Sequence, residues 1–470
     1  MQGVIVRIES VEINNFKNVG HGYLNFENTK KEFSASILGL YGQNGSGKTA
    51  LIDSFALLQF ALSGKPIPLQ FADYINVDSD RATLKYKFKI TSKSEQVSYS
   101  VFYEFSIRKD FDDSNYNQEN IELEAYGVTV FDEMLTYSYK SESKDEKSRL
   151  SSLVDTRTEK VFIPTTKYHV LAGTAKETEV NLMVAKKLAG ASSRSFIFSR
   201  EMLNTIRKNC VEQRYLSLFE SLIFFGNFEL FVIRTSNSGL ISMNTLPLAL
   251  NYKEGNRTAI GNLMIHLDKP SLISQDSLDI VEKGIANMNI VLAQLVPGLT
   301  ISIRNLGTQL NARGSVDCQI QLVSNKNSKE IPLQYESEGI KKIISILQLL
   351  IVVYNRPSVT VAIDELDSGV FEYLLGELLR IISEKGKGQL MFTSHNLRAL
   401  ETLDKGFVAF TTTNAQNRYI RMTNVKNTNN LRDFYYRDIV LGEQSEFVYE
   451  PTNNYEIALA FREAGDASAS

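Results

Sequence analysis

The chain has 470 residues and a mass of 53.0 kDa, which is enough for about three domains or one large domain with an insertion. It is 43% hydrophobic and 22% charged, which excludes wholesale disorder. The net charge of −3 excludes a protein that coats nucleic acid through bulk positive charge, although a local basic groove stays open. The two cysteines and four histidines predict neither a disulfide framework nor a zinc cluster. No apolar run approaches the ~20 residues that span a bilayer, so we expect a soluble cytoplasmic protein without membrane contacts.

The first sixty residues have the pattern of strands followed by a helix. Residues 4–16 alternate apolar and polar side chains, and 36–41 form a short apolar run that predicts a buried strand. From Thr49 the apolar residues fall on one face of a helix, and this pattern ends at residues 63–66.

Residues 82–140 alternate apolar and polar residues, which predicts an antiparallel sheet with one solvent-facing side. Lys85, Lys87 and Lys89 share that side. A row of lysines usually solvates a sheet and blocks edge pairing, but it could also contact nucleic-acid phosphate. Residues 175–230 have helical patterns, and 277–295 predict an amphipathic helix.

The residues that follow the first buried strand match the phosphate-loop pattern G-x-x-x-x-G-K-[ST]. They are Gly42, Gln43, Asn44, Gly45, Ser46, Gly47, Lys48 and Thr49. Glycines allow consecutive backbone N–H groups to face one anion, and the start of a helix also favours phosphate. We expect Lys48 to reach the β- and γ-phosphates and the Thr49 hydroxyl to bind Mg²⁺. A glycine-rich turn without a ligand is the alternative.

A second apolar run, residues 359–363, ends in Asp364 and Glu365. This predicts a central strand with two carboxylates at its tip, where ligands bind in open α/β sheets. Asp364 would hold Mg²⁺ through water, and Glu365 would orient and deprotonate the attacking water. Alone, such a strand end is equally typical of a solvated loop; its pairing with the phosphate loop favours the catalytic interpretation.

A third short strand, residues 389–393, leads to His395. It lies one strand–helix–strand step after Asp364, so His395 should emerge at the same edge of the sheet. A single histidine at a strand end is usually structural, and a catalytic role for it depends on the other two segments.

Together these segments resemble the ATP-binding-cassette (ABC) ATPase head of the branch that contains RecF, SMC and overcoming-lysogenization-defect proteins. The resemblance is most specific at residues 8–62, whose start at 8–18 is similar to that branch's first strands, and at 333–412. It implies ATP and Mg²⁺ as ligands and an α/β phosphate-loop fold with an antiparallel β subdomain. It also implies that Asp367 lies in the loop that crosses a dimer and that His395 contacts the γ-phosphate.

The family's signature helix is matched by residues 333–340, which depart from the usual Leu-Ser-Gly-Gly-Gln: only Ser337 and Gly339 map, and Glu338 replaces a glycine. Ser337 would cap an amphipathic helix whose N-terminus faces the γ-phosphate bound by a second copy. The alternative interpretation is an ordinary capped helix that binds no ligand. Gln70 is a candidate for the family's glutamine loop by position alone.

We divide the chain into four regions. Residues 1–164 are expected to hold the N-terminal part of the ATPase head, and 165–300 an inserted, mostly helical lobe. Residues 301–425 would complete the head, and 426–470 would form an extension with a frayed tail.

The resemblance implies an ATPase switch in which two or more copies close around ATP and hydrolysis reopens them. The layout is most like the ATPase subunits of bacterial anti-phage systems, such as that of PARIS, which pairs with a TOPRIM nuclease. We therefore expect a homo-oligomer, a separate nuclease effector and a phage protein as trigger.

A RecF-like DNA-binding clamp in repair stays open, whereas an SMC-like arm is disfavoured because residues 63–335 lack sustained heptads. A nuclease within this chain is disfavoured because the 75 residues after His395 contain no Asp-x-Asp pair.

Overall fold

The computed structural model describes residues 3–28, 35–92, 94, 96–111, 125–141, 146–158, 164–234, 245–254, 257–311, 314–326, 329–423, 430–442 and 444–467. In these ranges the strands are β1 (Val4–Phe16), β2 (Val19–Asn25), β3 (Ser36–Tyr41), β4 (Arg81–Ser92), β5 (Val97–Phe111), β6 (Ala125–Ser141), β7 (Glu146–Lys147), β8 (Ser151–Asp155), β9 (Leu230–Ile233), β10 (Thr245–Glu254), β11 (Arg257–His266), β12 (Ser271–Ser274), β13 (Leu299–Leu310), β14 (Val316–Lys326), β15 (Lys329–Pro332), β16 (Thr360–Ile363), β17 (Gln389–Thr393), β18 (Val408–Thr411) and β19 (Tyr419–Ile420).

The helices are α1 (Lys48–Ser63), α2 (Thr165–Ala172), α3 (Lys176–Ala191), α4 (Arg200–Asn209), α5 (Gln213–Phe228), α6 (Gln275–Leu295), α7 (Glu338–Asn355), α8 (Glu372–Lys385), α9 (Ala399–Thr402), α10 (Leu431–Leu441) and α11 (Asn454–Ala467). Short 3-10 helices span Leu69–Tyr74, Leu333–Tyr335 and Lys405–Phe407.

The sheet that carries the motifs is mostly parallel, with the strand order β19-β18-β3-β17-β16-β9. Strands β18, β3, β17, β16 and β9 run parallel, and β19 pairs antiparallel with β18. The three runs that the sequence marks as buried strands are therefore neighbours in space, and their carboxyl ends share one edge. This confirms the predicted α/β fold.

The second large sheet is antiparallel, in the order β2-β1-β4-β5-β6-β7, with β8 also paired to β6. Its central strands include the residues whose alternation predicts such a sheet, so that prediction is confirmed. Residues 112–124, between β5 and β6, lie outside the described ranges.

Helix α1 is almost completely buried between the two sheets. Along β16, Ala362 packs into the core that contains α1, whereas Val361 and Ile363 pack into a second core with α7 and α8. A parallel strand covered on both faces needs apolar residues at consecutive positions, which explains the unbroken run. The strand tip is thus fixed between α1 on one face and α7 on the other.

A buried glutamine links the two sheets. Gln389, at the start of β17, accepts a hydrogen bond from the Ile8 N–H (2.8 Å) and donates one to the Ile8 carbonyl (2.8 Å). It thereby satisfies both backbone groups of Ile8 where β1 has a register shift between Ile8 and Ser10.

The middle of the chain contributes to both cores. Residues 165–300, expected as a mostly helical insertion, contain α2–α6 and also strands, and β9 belongs to the parallel sheet. Strands β12 and β14 pair across residue 300, so that boundary falls within one sheet. Residues 454–467, in the region expected to be a frayed tail, form α11. The four-region division stays a prediction.

Candidate nucleotide-binding site

A cavity of about 360 Å³ opens at the carboxyl edge of the parallel sheet. Its lining residues come from the loops that follow β3, β16 and β17 and from the turn after β1: Lys17, Asn18, Asn44, Gly45, Ser46, Gly47, Lys48, Thr49, Ala50, Asp364, Glu365, Thr393 and His395. The structure therefore brings together most of the phosphate loop, the acidic pair and the histidine.

The phosphate loop depends on glycine at specific positions. Gly42, Gly45 and Gly47 have φ values of 154°, 74° and 94°, a region that other residues rarely adopt. A Cβ atom at Gly42 would lie 1.7 Å from the Thr411 hydroxyl oxygen, so the loop also approaches β18 too closely for a side chain. These residues let the backbone turn directly into α1, whose N-terminus faces the cavity.

Lys48 lies within this loop and is only 7% exposed. Its ammonium group donates hydrogen bonds to the carbonyls of Gly42 (2.8 Å) and Gln43 (2.9 Å). Burial lowers the pKa of Lys48, and the nearby carboxylate of Asp364 partly offsets this effect. The side chain thus holds a cation in the wall of the cavity.

Asp364 contacts Thr49 in helix α1, although the two residues are 315 positions apart in the sequence. The Thr49 hydroxyl lies 3.4 Å from Asp364 Oδ1, and the Thr393 hydroxyl donates to the same oxygen at 2.6 Å. A hydroxyl and a carboxylate are the hard oxygen ligands that suit Mg²⁺, which takes its other ligands from phosphate and water. These two residues fit a magnesium ion held at the mouth of the phosphate loop.

Glu365 has an unusual backbone. Its φ is 49°, in the left-handed region, and such a conformation costs about 1–3 kcal/mol for a residue other than glycine. The Thr393 hydroxyl accepts a hydrogen bond from the Glu365 N–H at 2.7 Å and so holds this conformation. Glu365 thereby lines the cavity next to Asp364.

Asp367 does not line the cavity but supports the loop that does. Its Oδ2 atom accepts hydrogen bonds from the backbone N–H groups of His395 (3.0 Å) and Asn396 (2.9 Å). The loop after β16 therefore fixes the loop after β17, and with it the position of His395.

Ser337 and Gly339 lie at the N-terminus of α7, outside the cavity of their own chain. The Ser337 hydroxyl accepts a hydrogen bond from the Ile340 N–H (3.4 Å), which makes Ser337 the helix cap. A Cβ at Gly339 would lie 2.3 Å from the Gly369 carbonyl, so glycine is required for α7 to pack on the loop after β16. Gln70 lies in the 3-10 helix Leu69–Tyr74 and is not among the described residues that line the cavity.

Several residues of the site were not predicted from the sequence. Lys17 lines the cavity, forms an ion pair with the buried Asp53 and lies 4.0 Å from the Tyr74 ring centre. The Asn18 side chain donates to the Gly45 carbonyl. Both residues belong to the strand end that carries the family resemblance, which was the available signal. The role of Thr393 had no sequence signal beyond its place at the end of β17.

Residues 37–401 match the AAA_21 family, described as "AAA domain, putative AbiEii toxin, Type IV TA system". The match covers more than half of the chain, so the chain belongs to this family. The match spans the phosphate loop, the acidic pair and His395, which lie at one edge of the parallel sheet.

Several solved structures are similar to this chain. The SMC head domain from Thermotoga maritima is 14% identical and covers 89% of this chain and 99% of its own, with a TM-score of 0.34. The Smc head from Pyrococcus furiosus, solved with an extended coiled coil and bound to the C-terminal domain of ScpA, has 12% identity, coverages of 89% and 97%, and a TM-score of 0.36. The recombination mediator RecF in the RecFOR pathway has 12% identity, coverages of 83% and 93%, and a TM-score of 0.33.

None of the curated proteins compared with the chain matches it. In the part of the chain that the structure describes, no helix has the length and hydropathy to cross a bilayer.

Replacing Thr393 by valine should remove the hydrogen bonds that position Asp364 and the backbone of Glu365. Valine keeps the shape of the buried side chain but removes the hydroxyl that bonds Asp364 and the Glu365 N–H. We expect ATP turnover, or the apparent affinity for Mg²⁺, to fall by about 10–100-fold, measured by phosphate release over a Mg²⁺ titration.

Thr156→Val is the matched control, because the buried Thr156 hydroxyl donates to the Glu133 carbonyl (3.0 Å) in the antiparallel sheet. Equal turnover and equal Mg²⁺ dependence in the two variants would show that the Thr393 hydroxyl does not position the site.

Proposed function

We propose that this protein is an ATP hydrolase that converts ATP and water to ADP and phosphate with Mg²⁺. The observation that carries the proposal is the meeting of Lys48, Thr49, Asp364 and Glu365 around one cavity. Lys48 and the loop N–H groups would bind the phosphates, while Thr49 and Asp364 would hold Mg²⁺, which neutralises phosphate charge when bound. Glu365 would take a proton from the attacking water as its oxygen bonds to the γ-phosphorus and the bond to the ADP oxygen breaks.

We further propose that hydrolysis requires a second copy of the chain. Ser337 and Glu338 are exposed at the start of α7, and the helix N-terminus there would stabilise the γ-phosphate bound by the other copy. Asp367 accepts a hydrogen bond from the His395 backbone N–H, so the two loops that carry these residues are linked at the carboxyl edge of the parallel sheet. Loss of the γ-phosphate would therefore move both loops at such an interface.

Glu365→Gln tests the hydrolytic assignment. The amide cannot accept the proton from water, so we expect turnover to fall by about 10²-fold or more, while ATP binding persists and a dimer accumulates. Phosphate release and size-exclusion chromatography with light scattering measure the two effects. Turnover near that of the unaltered protein would refute the role of Glu365, and Lys48→Ala serves as the variant that should neither bind ATP nor dimerise.

A mixing experiment tests whether the site is shared between copies. Lys48→Ala and Ser337→Arg should each be inactive alone. Mixing the two should restore activity that neither has alone, because a mixed dimer contains one intact site, formed by Lys48 of the Ser337→Arg copy and Ser337 of the Lys48→Ala copy. If the mixture stays as inactive as its components, or if Ser337→Arg is active alone, Ser337 does not act on the nucleotide of a second copy.

We place this ATPase in the cytoplasm as the switch of an anti-phage system, where the ATP-bound homo-oligomer holds a separate TOPRIM-type nuclease and a phage protein triggers its release. The support is the layout of a head with an insertion, together with a family description that names a toxin–antitoxin system. The second candidate is a RecF-like DNA clamp. The lysine row on β4 gives it little support, because Lys87 pairs with Glu9 (2.8 Å) and Lys85 with Glu104 (3.6 Å).

Co-purification from the native operon separates these two roles. A nuclease that is bound with ATP and released after hydrolysis is the expected result for the defence switch. Recovery of recombination factors instead, together with DNA affinity that falls steeply with salt, would favour the clamp.

A further inference from the structure

Lys342 is a buried lysine that neither the phosphate loop nor the proposed chemistry uses. It lies in the second turn of α7, which begins at Glu338, and is 3% exposed. Its ammonium nitrogen has no hydrogen-bond partner among the described residues. Because an unpaired charge is unfavourable in a protein interior, a lysine kept in this position calls for a compensating interaction.

Lys342 lies three residues after Gly339, on the face of α7 that packs on Gly369. Gly369 belongs to the loop after β16 that carries Asp364, Glu365 and Asp367, called the acidic loop. Burial lowers the pKa of Lys342 to about 8, and the carboxylates of Asp364, Asp367 and Glu365 act against this decrease. The same three carboxylates act on Lys48. Lys48 begins α1 and Lys342 belongs to α7, and these helices pack on opposite faces of β16, the strand that leads into the acidic loop.

The acidic loop has an unpaired atom of its own. Asp367 uses Oδ2 to hold the backbone of His395 and Asn396, whereas its Oδ1 is buried and has no hydrogen-bond partner among the described residues. The loop and α7 are also in direct contact, because Gly339 packs on the Gly369 carbonyl. A small movement of α7 therefore changes the distance between Lys342 and the carboxylates.

We propose that Lys342 is a positioning residue that attracts the acidic loop from the side opposite Lys48. When α7 contacts the nucleotide of a second copy, Lys342 moves with the helix and changes the position of Asp367 and Glu365. The proposal rests on the two-copy function above. In this proposal, Lys342 contacts neither the nucleotide nor the attacking water, and it acts only through the carboxylates of the acidic loop. As a second cation near Asp364, it also competes with Mg²⁺ for the same negative charge.

Lys342→Met tests the proposal, because methionine has a similar shape without the charge. We expect the Tm to stay equal or rise by about 1–3 °C, since the fold no longer buries a charge. The Kd of a non-hydrolysable ATP analogue should stay within about threefold, while kcat falls by about 30-fold or more. Mn²⁺, used as a spectroscopic probe for Mg²⁺, should bind about 3–10-fold more tightly in the presence of the analogue. Lys342→Arg should restore part of kcat.

The control is Lys186→Met, which makes the same chemical change at a half-buried lysine whose ammonium donates to the Thr156 (2.7 Å) and Thr158 (3.0 Å) carbonyls, away from the nucleotide cavity. Its kcat and Mn²⁺ affinity should not change. A Lys342→Met protein with unchanged Mn²⁺ affinity, or with kcat within twofold, overturns the proposal, as does a loss of kcat that merely follows a lower Tm. If the unaltered protein shows no turnover, the proposed function fails instead, and the Mn²⁺ measurement still decides the role of Lys342.

Discussion

The hydrogen bond from the Thr393 hydroxyl to Asp364 (2.6 Å) joins the ends of two neighbouring parallel strands, and the site depends on it. The same hydroxyl accepts the Glu365 N–H, so a single side chain sets the position of one carboxylate and the strained backbone of the next. Thr49 approaches Asp364 from α1, which connects the phosphate loop to the acidic pair. Because the sheet is covered on both faces, these contacts are held in place by packing.

Charge organises the rest of the site. Lys48 offers a buried cation from the side of α1, and Lys342 offers another from the side of α7. Between them lies the loop that carries Asp364, Glu365 and Asp367, with Asp367 extending the connection to the backbone of His395. In the proposed function, a triphosphate with Mg²⁺ and the α7 helix of a second copy complete this arrangement, so hydrolysis requires that two copies first close around the nucleotide.

The sequence predicted the parts of the structure that local patterns encode. The phosphate loop, the apolar runs of β3, β16 and β17 and the alternation of the antiparallel strands identified the fold, because each depends on a few consecutive residues. Strand β9 has only four residues and follows a helix, so its pairing with β16 had no local signal. The roles of Thr393 and Lys342 were missed for the same reason: each depends on a neighbour far away in sequence.

A crystal or cryo-electron microscopy structure of the Glu365→Gln protein with ATP and Mg²⁺ is the most direct test. We expect two copies face to face, with each triphosphate between Lys48 of one copy and Ser337 of the other, and with Asp364 beside the metal. A triphosphate bound away from Lys48 and Asp364 would contradict the central claim, as would a site enclosed by one chain with α7 of any second copy far from the γ-phosphate.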